Sequence, residues 1–352
     1  MRRGDKHRGR EMDPFRTETM MKIMKAYGPV PSRRLGKSLG INNIPPKICT
    51  YSCVYCQLGA TIKTQIDRRK FYEIEEVVKD VERRVREAEK NKETIDYLSF
   101  VPDGEPTLDI NLGREIELLK PLGIKIAIIT NASMIWREDV RDDLLNANWV
   151  SFKIDSVSEK IWHRINRPHM SLRLEKILEG MLEFARIFGG ELTTETMLIR
   201  GINDDDWEIM AIANFLSELK PDKAYISIPT RPPAEKGIMP ASEQSINKAY
   251  QIFGNRLPDV EYLIGYEGNA FAFTGNIEDD LLSIASVHPM REEAVKEFLS
   301  KARSDWDVIK RLIKENKLIE LQYQGKKFYM RKLHRGIGNA GRAGTLSRFI
   351  VF

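Results

Sequence analysis

Cysteine is scarce in this 352-residue chain: Cys49, Cys53 and Cys56 are its only three, and all fall within one eight-residue window. An odd, clustered set excludes the paired framework of a disulfide-stapled secreted domain, so these thiols read as ligands rather than cross-links. Long apolar runs are missing too. No stretch approaches the roughly 18 residues that a membrane helix needs. The basic, polar N-terminus lacks the apolar block of a signal peptide. The expectation is a cytoplasmic protein with no membrane partner. The absence of an internal repeat sets aside solenoids and arrays.

What is present fits one large α/β domain with a small appended module, given the length and a hydrophobic content of 42%. Charged residues make up 30%, a composition compatible with a heat-adapted source. The net charge of +5 is unevenly spread, with fifteen Lys and Arg against seven Asp and Glu in 285–352, and six against three in 1–16. The body between is therefore acidic, and a polyanion would be met by the C-terminal end, although Lys-rich faces also serve solubility.

Residues 1–26 carry no apolar periodicity and read as a disordered or tag-like segment. Beyond them, β-branched runs at 95–101, 123–130, 149–154, 192–199, 223–228 and 260–266 alternate with amphipathic stretches at 73–89, 110–119, 172–188 and 207–219. Residues 32–41 supply a candidate first strand. Such alternation implies an α/β fold with parallel pairing and crossover helices. Composition shifts after residue 282. Two short helices at 292–302 and 305–317, then strands at 318–323 and 327–331 around Gln324-Gly325-Lys326, resemble a small winged helix-turn-helix-like domain over 283–333. Residues 334–352 form a Gly- and Arg-containing tail.

The thiol spacing, C-x-x-x-C-x-x-C, can bring three ligands to one [4Fe–4S] cluster while leaving one iron open for an external chelator. Zinc is the alternative. A structural zinc site wants four protein ligands, and only His163 or His169 could be brought in from elsewhere.

The segment Cys49-Thr50-Tyr51-Ser52-Cys53-Val54-Tyr55-Cys56 resembles the signature of the radical S-adenosylmethionine (SAM) superfamily. Tyr55 stands where that family places an aromatic residue near adenine. Asp103-Gly104-Glu105-Pro106-Thr107 resembles the family's Gly-Gly-Glu-Pro-Thr element, which contacts the methionine amino group; Asp103 departs from the usual first glycine. The resemblance implies a partial (β/α)6 parallel barrel over 27–282, metal ligands Cys49, Cys53 and Cys56, and a [4Fe–4S] cluster with S-adenosylmethionine as cofactors. It also implies contacts to the cofactor from Asn131, Ser151, Lys153 and Asp155 at further strand ends, with Thr196 on the next strand and residues 229–233 at the mouth. An external electron donor would reduce the cluster, and a 5′-deoxyadenosyl radical would then take a hydrogen atom from the substrate.

Gly28-Pro29-Val30-Pro31-Ser32-Arg33-Arg34-Leu35-Gly36, with Lys47-Ile48-Cys49 and Gln57-Leu58-Gly59, is similar to a group near the wyosine tRNA-base synthases. The archaeal synthases carry further cysteines for a second cluster, which this chain lacks, so it would not perform that reaction in the same way. Three substrate classes stay open: an RNA base, gripped through Lys310, Arg311, Lys314, Lys326, Lys327 and Arg331 of the C-terminal module; a peptide docked on that module as an added strand; or a small molecule.

Overall fold

The computed structural model describes residues 25–332, apart from 62, 265–270, 272, 274, 275 and 288. The expected terminal segments therefore lie almost wholly outside the described residues, as does the end of the strand expected at 260–266.

The chain opens with a hairpin in which β1 (Ala26–Ser32) pairs antiparallel with β2 (Gly36–Ile41). The cysteine segment follows, and then α1 (Ile74–Lys90), whose Val77, Val81, Val85 and Ala88 form one buried stripe. Glu75 and Glu76 occupy its first turn, where the helix dipole favours acids. Next come β3 (Tyr97–Phe100), α2 (Leu112–Leu119), β4 (Lys125–Thr130), α3 (Glu138–Leu144), β5 (Trp149–Lys153), α4 (Glu159–Asn166) and α5 (Leu174–Ile187). The unit is completed by β6 (Glu191–Met197), α6 (Asp206–Leu219), β7 (Lys223–Ser227), α7 (Glu243–Gly254) and β8 (Val260–Leu263). Asp205 caps α6, accepting from the amides of Trp207 and Glu208 at 3.0 Å each.

The strands form one sheet in sequence order, β1 to β8, with β2 to β8 mutually parallel. The expectation of six parallel strands is thus corrected to seven plus an antiparallel edge. The six β-branched runs become β3 to β8 and the candidate strand at 32–41 supplies the seventh as β2, while the turn at residues 33–35 folds β1 against it as the edge. Helices α3, α4, α7 and the later α8 escaped the sequence reading because they are short or carry their apolar residues less regularly.

Alternate strand residues face opposite ways. Outward ones such as Leu98, Phe100, Ile126, Ile128, Val150 and Phe152 pack against the helices in the main core. Inward ones, Ala127, Trp149, Tyr225 and Leu263 together with Leu35, plug the interior. Above that plug the interior is lined by polar side chains mixed with apolar ones such as Ile129, Met197 and Ile228.

After β8 the chain forms α8 (Ile277–Val287), β9 (Met290–Arg291), α9 (Glu292–Lys301), α10 (Asp307–Lys314), β10 (Leu318–Tyr323) and β11 (Lys326–Arg331). The last three strands make an antiparallel sheet in the order β10-β11-β9. Gln324 and Gly325, both at positive φ, make the turn of the expected hairpin, so its second strand starts one residue early, at Lys326. This unit has its own apolar cluster, built on Ile284, Val295, Phe298, Ile309, Leu312 and Tyr329, which also takes in Tyr27 and Val30 of β1. A buried ion pair, Arg84 on α1 to Asp280 on α8 at 3.0 Å, fastens the two units. No helix among the described residues is long and apolar enough to cross a membrane.

Candidate active site

The strand ends following β3, β4 and β5 and the cysteine loop meet at the open end of the barrel, around a cavity of about 340 Å³. It is lined by Cys49, Cys53 and Cys56, by Tyr55, Gly104, Glu105 and Asn131, and by Lys153. The residues expected to act together are therefore gathered, with informative exceptions.

The cysteine loop is held against the β3 end by backbone. The Glu105 amide donates to the Ile48 carbonyl at 3.0 Å, and the Lys47 amide to the Asp103 carbonyl at 2.8 Å. The approach is so close that a Cβ on Gly104 would lie 1.9 Å from the Ile48 oxygen. Only glycine fits there. The Glu105 carboxylate, buried to 1% exposure, accepts from the Thr130 hydroxyl at 2.5 Å, the Thr107 hydroxyl at 2.7 Å and the Asn131 amide at 2.8 Å. Burial raises its pKa and these donors oppose the rise. Glu105 thus ties the ends of β3 and β4 together. Pro106 and Thr107 are buried behind it and do not line the cavity.

Each cysteine sulfur has a side-chain donor of its own. Asn131 Nδ2 approaches Cys49 Sγ at 3.6 Å, Asn166 Nδ2 approaches Cys53 Sγ at 3.4 Å, and Lys47 Nζ approaches Cys56 Sγ at 3.7 Å. Burial pushes the Cys49 thiol up to about 12, with Glu105 adding to the shift, and burial likewise raises Cys53. Thiols so placed stay protonated unless positive charge arrives, as it does with iron. Among the described residues, no group of three His, Cys, Asp or Glu converges as a single metal ion requires, so the zinc alternative finds no site there. A cluster spreads its thiolates, one per iron, and the three thiols on one wall fit that demand.

Tyr55 donates to Asp155 Oδ2 at 2.5 Å, and Asn166 Nδ2 donates to the same oxygen at 2.8 Å. Asp155 is buried behind the wall, so it acts through Tyr55 and Asn166 rather than lining the cavity. Ser151 shares the inward face of β5 with Lys153 but lies deeper, fully buried and away from the cavity lining. Thr196 is likewise spent on structure, donating to the Ile154 carbonyl at 2.9 Å. Of residues 229–233, Pro229, Thr230 and Arg231 line the mouth, with Arg231 Nη1 on Gln57 Oε1 at 2.7 Å.

Sequence reasoning missed the charged floor. Glu195, inward on β6, accepts from Lys153 Nζ at 2.9 Å, Arg34 Nη1 at 2.6 Å and the Ser227 hydroxyl at 2.9 Å. Burial works against the Glu195 anion, but Lys153 and Arg34 hold its pKa below the carboxylate range. Burial equally disfavours the Lys153 ammonium, and Glu195 and Asp155 more than compensate. A glutamate at an inward position of a barrel strand was the available signal. Asn166, at the end of an unrecognised helix, gave none.

The Radical SAM superfamily model matches residues 43–213. A UPF0026 protein of Methanocaldococcus jannaschii is 54% identical over 310 residues, covering 88% of this chain and 96% of that protein. The GTPase Obg of Brachyspira hyodysenteriae is 34% identical over 239 residues, 68% of this chain but only 35% of its own length. A radical SAM methyltransferase from Sphaerobacter thermophilus superposes with a TM-score of 0.49 at 18% identity, over 65% of this chain and 67% of that one. The matched segment runs through the cysteine loop and the Asp103–Thr107 element to α6, and with it the chain belongs to the UPF0026 family and is an enzyme of the radical SAM superfamily, which uses a [4Fe–4S] cluster and S-adenosylmethionine.

Proposed function

We propose that Cys49, Cys53 and Cys56 hold the cluster at the cavity wall, and that the barrel presents a nucleotide base of an RNA to the radical formed there. When bound, the cluster supplies one electron that splits the S–C5′ bond of S-adenosylmethionine; the chain positions and shields. Gly104 gives the cysteine loop its close seat on the β3 end. The Asp103–Glu105 backbone and Asn131 would hold the methionine half and Tyr55 the adenine, and Lys153 offers the cavity a cation held in place by Glu195.

The observation that carries the substrate reading is the charge of the wall. Arg33, Arg34, Lys47, Lys153 and Arg231 stand against Asp103, Glu105 and Glu195, an excess of five cations over three acids. A substrate with phosphate-borne charge suits it. At about 340 Å³ the cavity is at the small end of ligand sites and would be shared with the cofactors, so a large substrate would bring no more than one unit to its mouth, as enzymes acting on bases do.

The C-terminal unit supports this less than its charge suggests. We read its order, α8-β9-α9-α10-β10-β11, as a winged helix-turn-helix that begins with α8, earlier than residue 283. Its cations are largely committed: Lys310 pairs with Asp307 at 2.8 Å and Lys327 with Glu320 at 3.1 Å, and Arg311 pairs with Glu278. Arg331 is half-buried beside Asp103 rather than projecting, and the Tyr323 hydroxyl donates to the Pro229 carbonyl at 3.0 Å. The hairpin thus leans on the barrel mouth and serves as a wall. One feature favours a peptide instead: among the described residues β10 is an edge strand, open to strand addition.

The test is anaerobic. With reconstituted protein, reductant and S-adenosylmethionine, 5′-deoxyadenosine is quantified with and without small RNA, and the RNA is examined for a mass change. RNA-stimulated cleavage with a modified nucleoside is expected. Cleavage indifferent to RNA, but stimulated by peptide, would overturn the substrate reading.

A further inference from the structure

The electron that starts the reaction must reach the thiol-bound site from outside, and the wall is thin beside Cys53. Segment 165–169 runs along the outer side of the cysteine loop. Val54 N donates to the Ile165 carbonyl at 2.9 Å, Ser52 N to Asn166 O at 2.9 Å, and His169 N to Thr50 O at 2.9 Å. Asn166 Nδ2 touches Cys53 Sγ at 3.4 Å, and the next residue, Arg167, is exposed. A single residue thus separates a cluster ligand from the surface.

The surface there has a definite chemistry. Between Ile161 and Leu174 the chain carries Arg164, Arg167, Arg173, His163 and His169, and no acidic residue. His163, Arg164, Arg167 and Arg173 are exposed. Among them stands Met170 at 83% exposure, the most exposed large apolar side chain among the described residues. Arg167 is braced by Glu235 at 2.8 Å, and Arg173 by the Met170 and Leu172 carbonyls at 3.0 and 2.9 Å. Arg164 makes no side-chain hydrogen bond or ion pair among the described residues. An exposed apolar centre among mostly basic side chains, with Glu235 on Arg167 and Glu159 beside His163 at 3.3 Å, is the anatomy of a small, transient protein interface. None of these residues lines the cavity.

We propose that the Arg164–Arg173 face is the docking surface for an acidic one-electron carrier protein, an inference that rests on the radical SAM reading. On docking, one electron leaves the carrier's reduced centre, which is oxidised, and enters the cluster across the Cys53 side of the loop, which gains that electron. An RNA fits this face less well: no exposed Phe, Tyr or Trp offers a base a stacking platform between 161 and 174, and the cavity into which a base must pass lies beyond the loop.

The experiment uses the full reconstituted chain with two reductants, an acidic flavodoxin kept reduced and dithionite, which needs no docking surface. Arg164→Glu, Met170→Glu and their combination are compared with wild type and with the distant Lys310→Glu. The expected result is a loss of about fivefold or more in flavodoxin-supported 5′-deoxyadenosine formation in the double variant, with the dithionite rate within about twofold. The wild-type flavodoxin rate should also fall with rising salt, and the double variant's should not. An unchanged flavodoxin rate, or equal losses with both reductants, would overturn the assignment. So would a loss confined to RNA stimulation under dithionite, which would make the face a nucleic-acid surface. No product from wild type with either reductant would sink the class reading itself, and the surface with it.

Discussion

The barrel mouth and the C-terminal unit are both rich in charge, yet they use it in opposite ways. At the mouth, charged and amide groups are buried and tied into networks that bridge strands: Glu105 joins β3 to β4, Glu195 joins β5 and β6 to the β1–β2 turn, and Asn166 joins α4 to the cysteine loop. In the C-terminal unit, Asp280 apart, most charges lie outside and several pair with near neighbours, as Lys310 does with Asp307 and Lys296 with Glu292 at 2.5 Å, while apolar residues fill the centre. Exposed pairs of that kind contribute little to stability, whereas a buried group deprived of its partner costs much more. The first region is therefore intolerant of change and the second forgiving.

The largest expected effect is at the thiols. Cys53→Ala should lose the cluster's visible absorbance after reconstitution, and 5′-deoxyadenosine formation should drop by more than about 100-fold, a loss of roughly 2.7 kcal/mol of barrier lowering; survival of either would break the contrast. Gly104→Ala comes next. Its Cβ collides with the Ile48 backbone, so the bound iron per chain and the melting temperature should both fall, while the same change at Gly254, where nothing lies within 4 Å, should leave the iron content intact.

Smaller and more specific are the sulfur donors. Removing a hydrogen bond or a positive charge beside a ligating sulfur lowers a cluster's reduction potential. Lys47→Met and Asn166→Leu should each lower the reduced fraction at a fixed potential by up to about tenfold, about 59 mV for one electron, read by redox titration with the spin signal of the reduced cluster. An unmoved midpoint would show these contacts to be structural only.

Asp103 sits where the two regions meet. Its carboxyl, with Oδ1 lacking a hydrogen-bond partner among the described residues, is pushed up to about 7 by burial, with Arg331 and Lys47 pulling the other way. Between about pH 4 and 7 the folded chain then keeps a proton that the unfolded chain releases, so stability falls as pH rises through that window. Asp103→Asn should gain a few degrees of melting temperature over wild type on going from pH 5 to pH 8; parallel profiles would refute the buried carboxyl. The smallest effect belongs to the C-terminal unit: Lys327→Glu should change RNA-independent cleavage by less than about twofold, since the residue is exposed and locally paired.

Much of the site was legible in the sequence because local spacing dictates it. Three thiols at intervals of four and three, and a glycine-containing turn just after a strand, need no distant information to be recognised. Asn131 and Lys153 could be named because strand ends and alternation point them at the cavity. Ser151 obeyed the same alternation and still missed, because alternation fixes the side of a strand and not the depth along the barrel.

The thiol spacing, the strand and helix alternation and the hairpin with its turn glycine were readable along the chain, since each follows from neighbours within a few positions. The fold alone set which polar groups face one another: that Arg34 meets Glu195 across 161 residues, that Asn166 reaches Cys53 across 113, and that the hairpin leans on Pro229. Such pairings depend on how the sheet curls and on which strand lies beside which, and no local pattern encodes that.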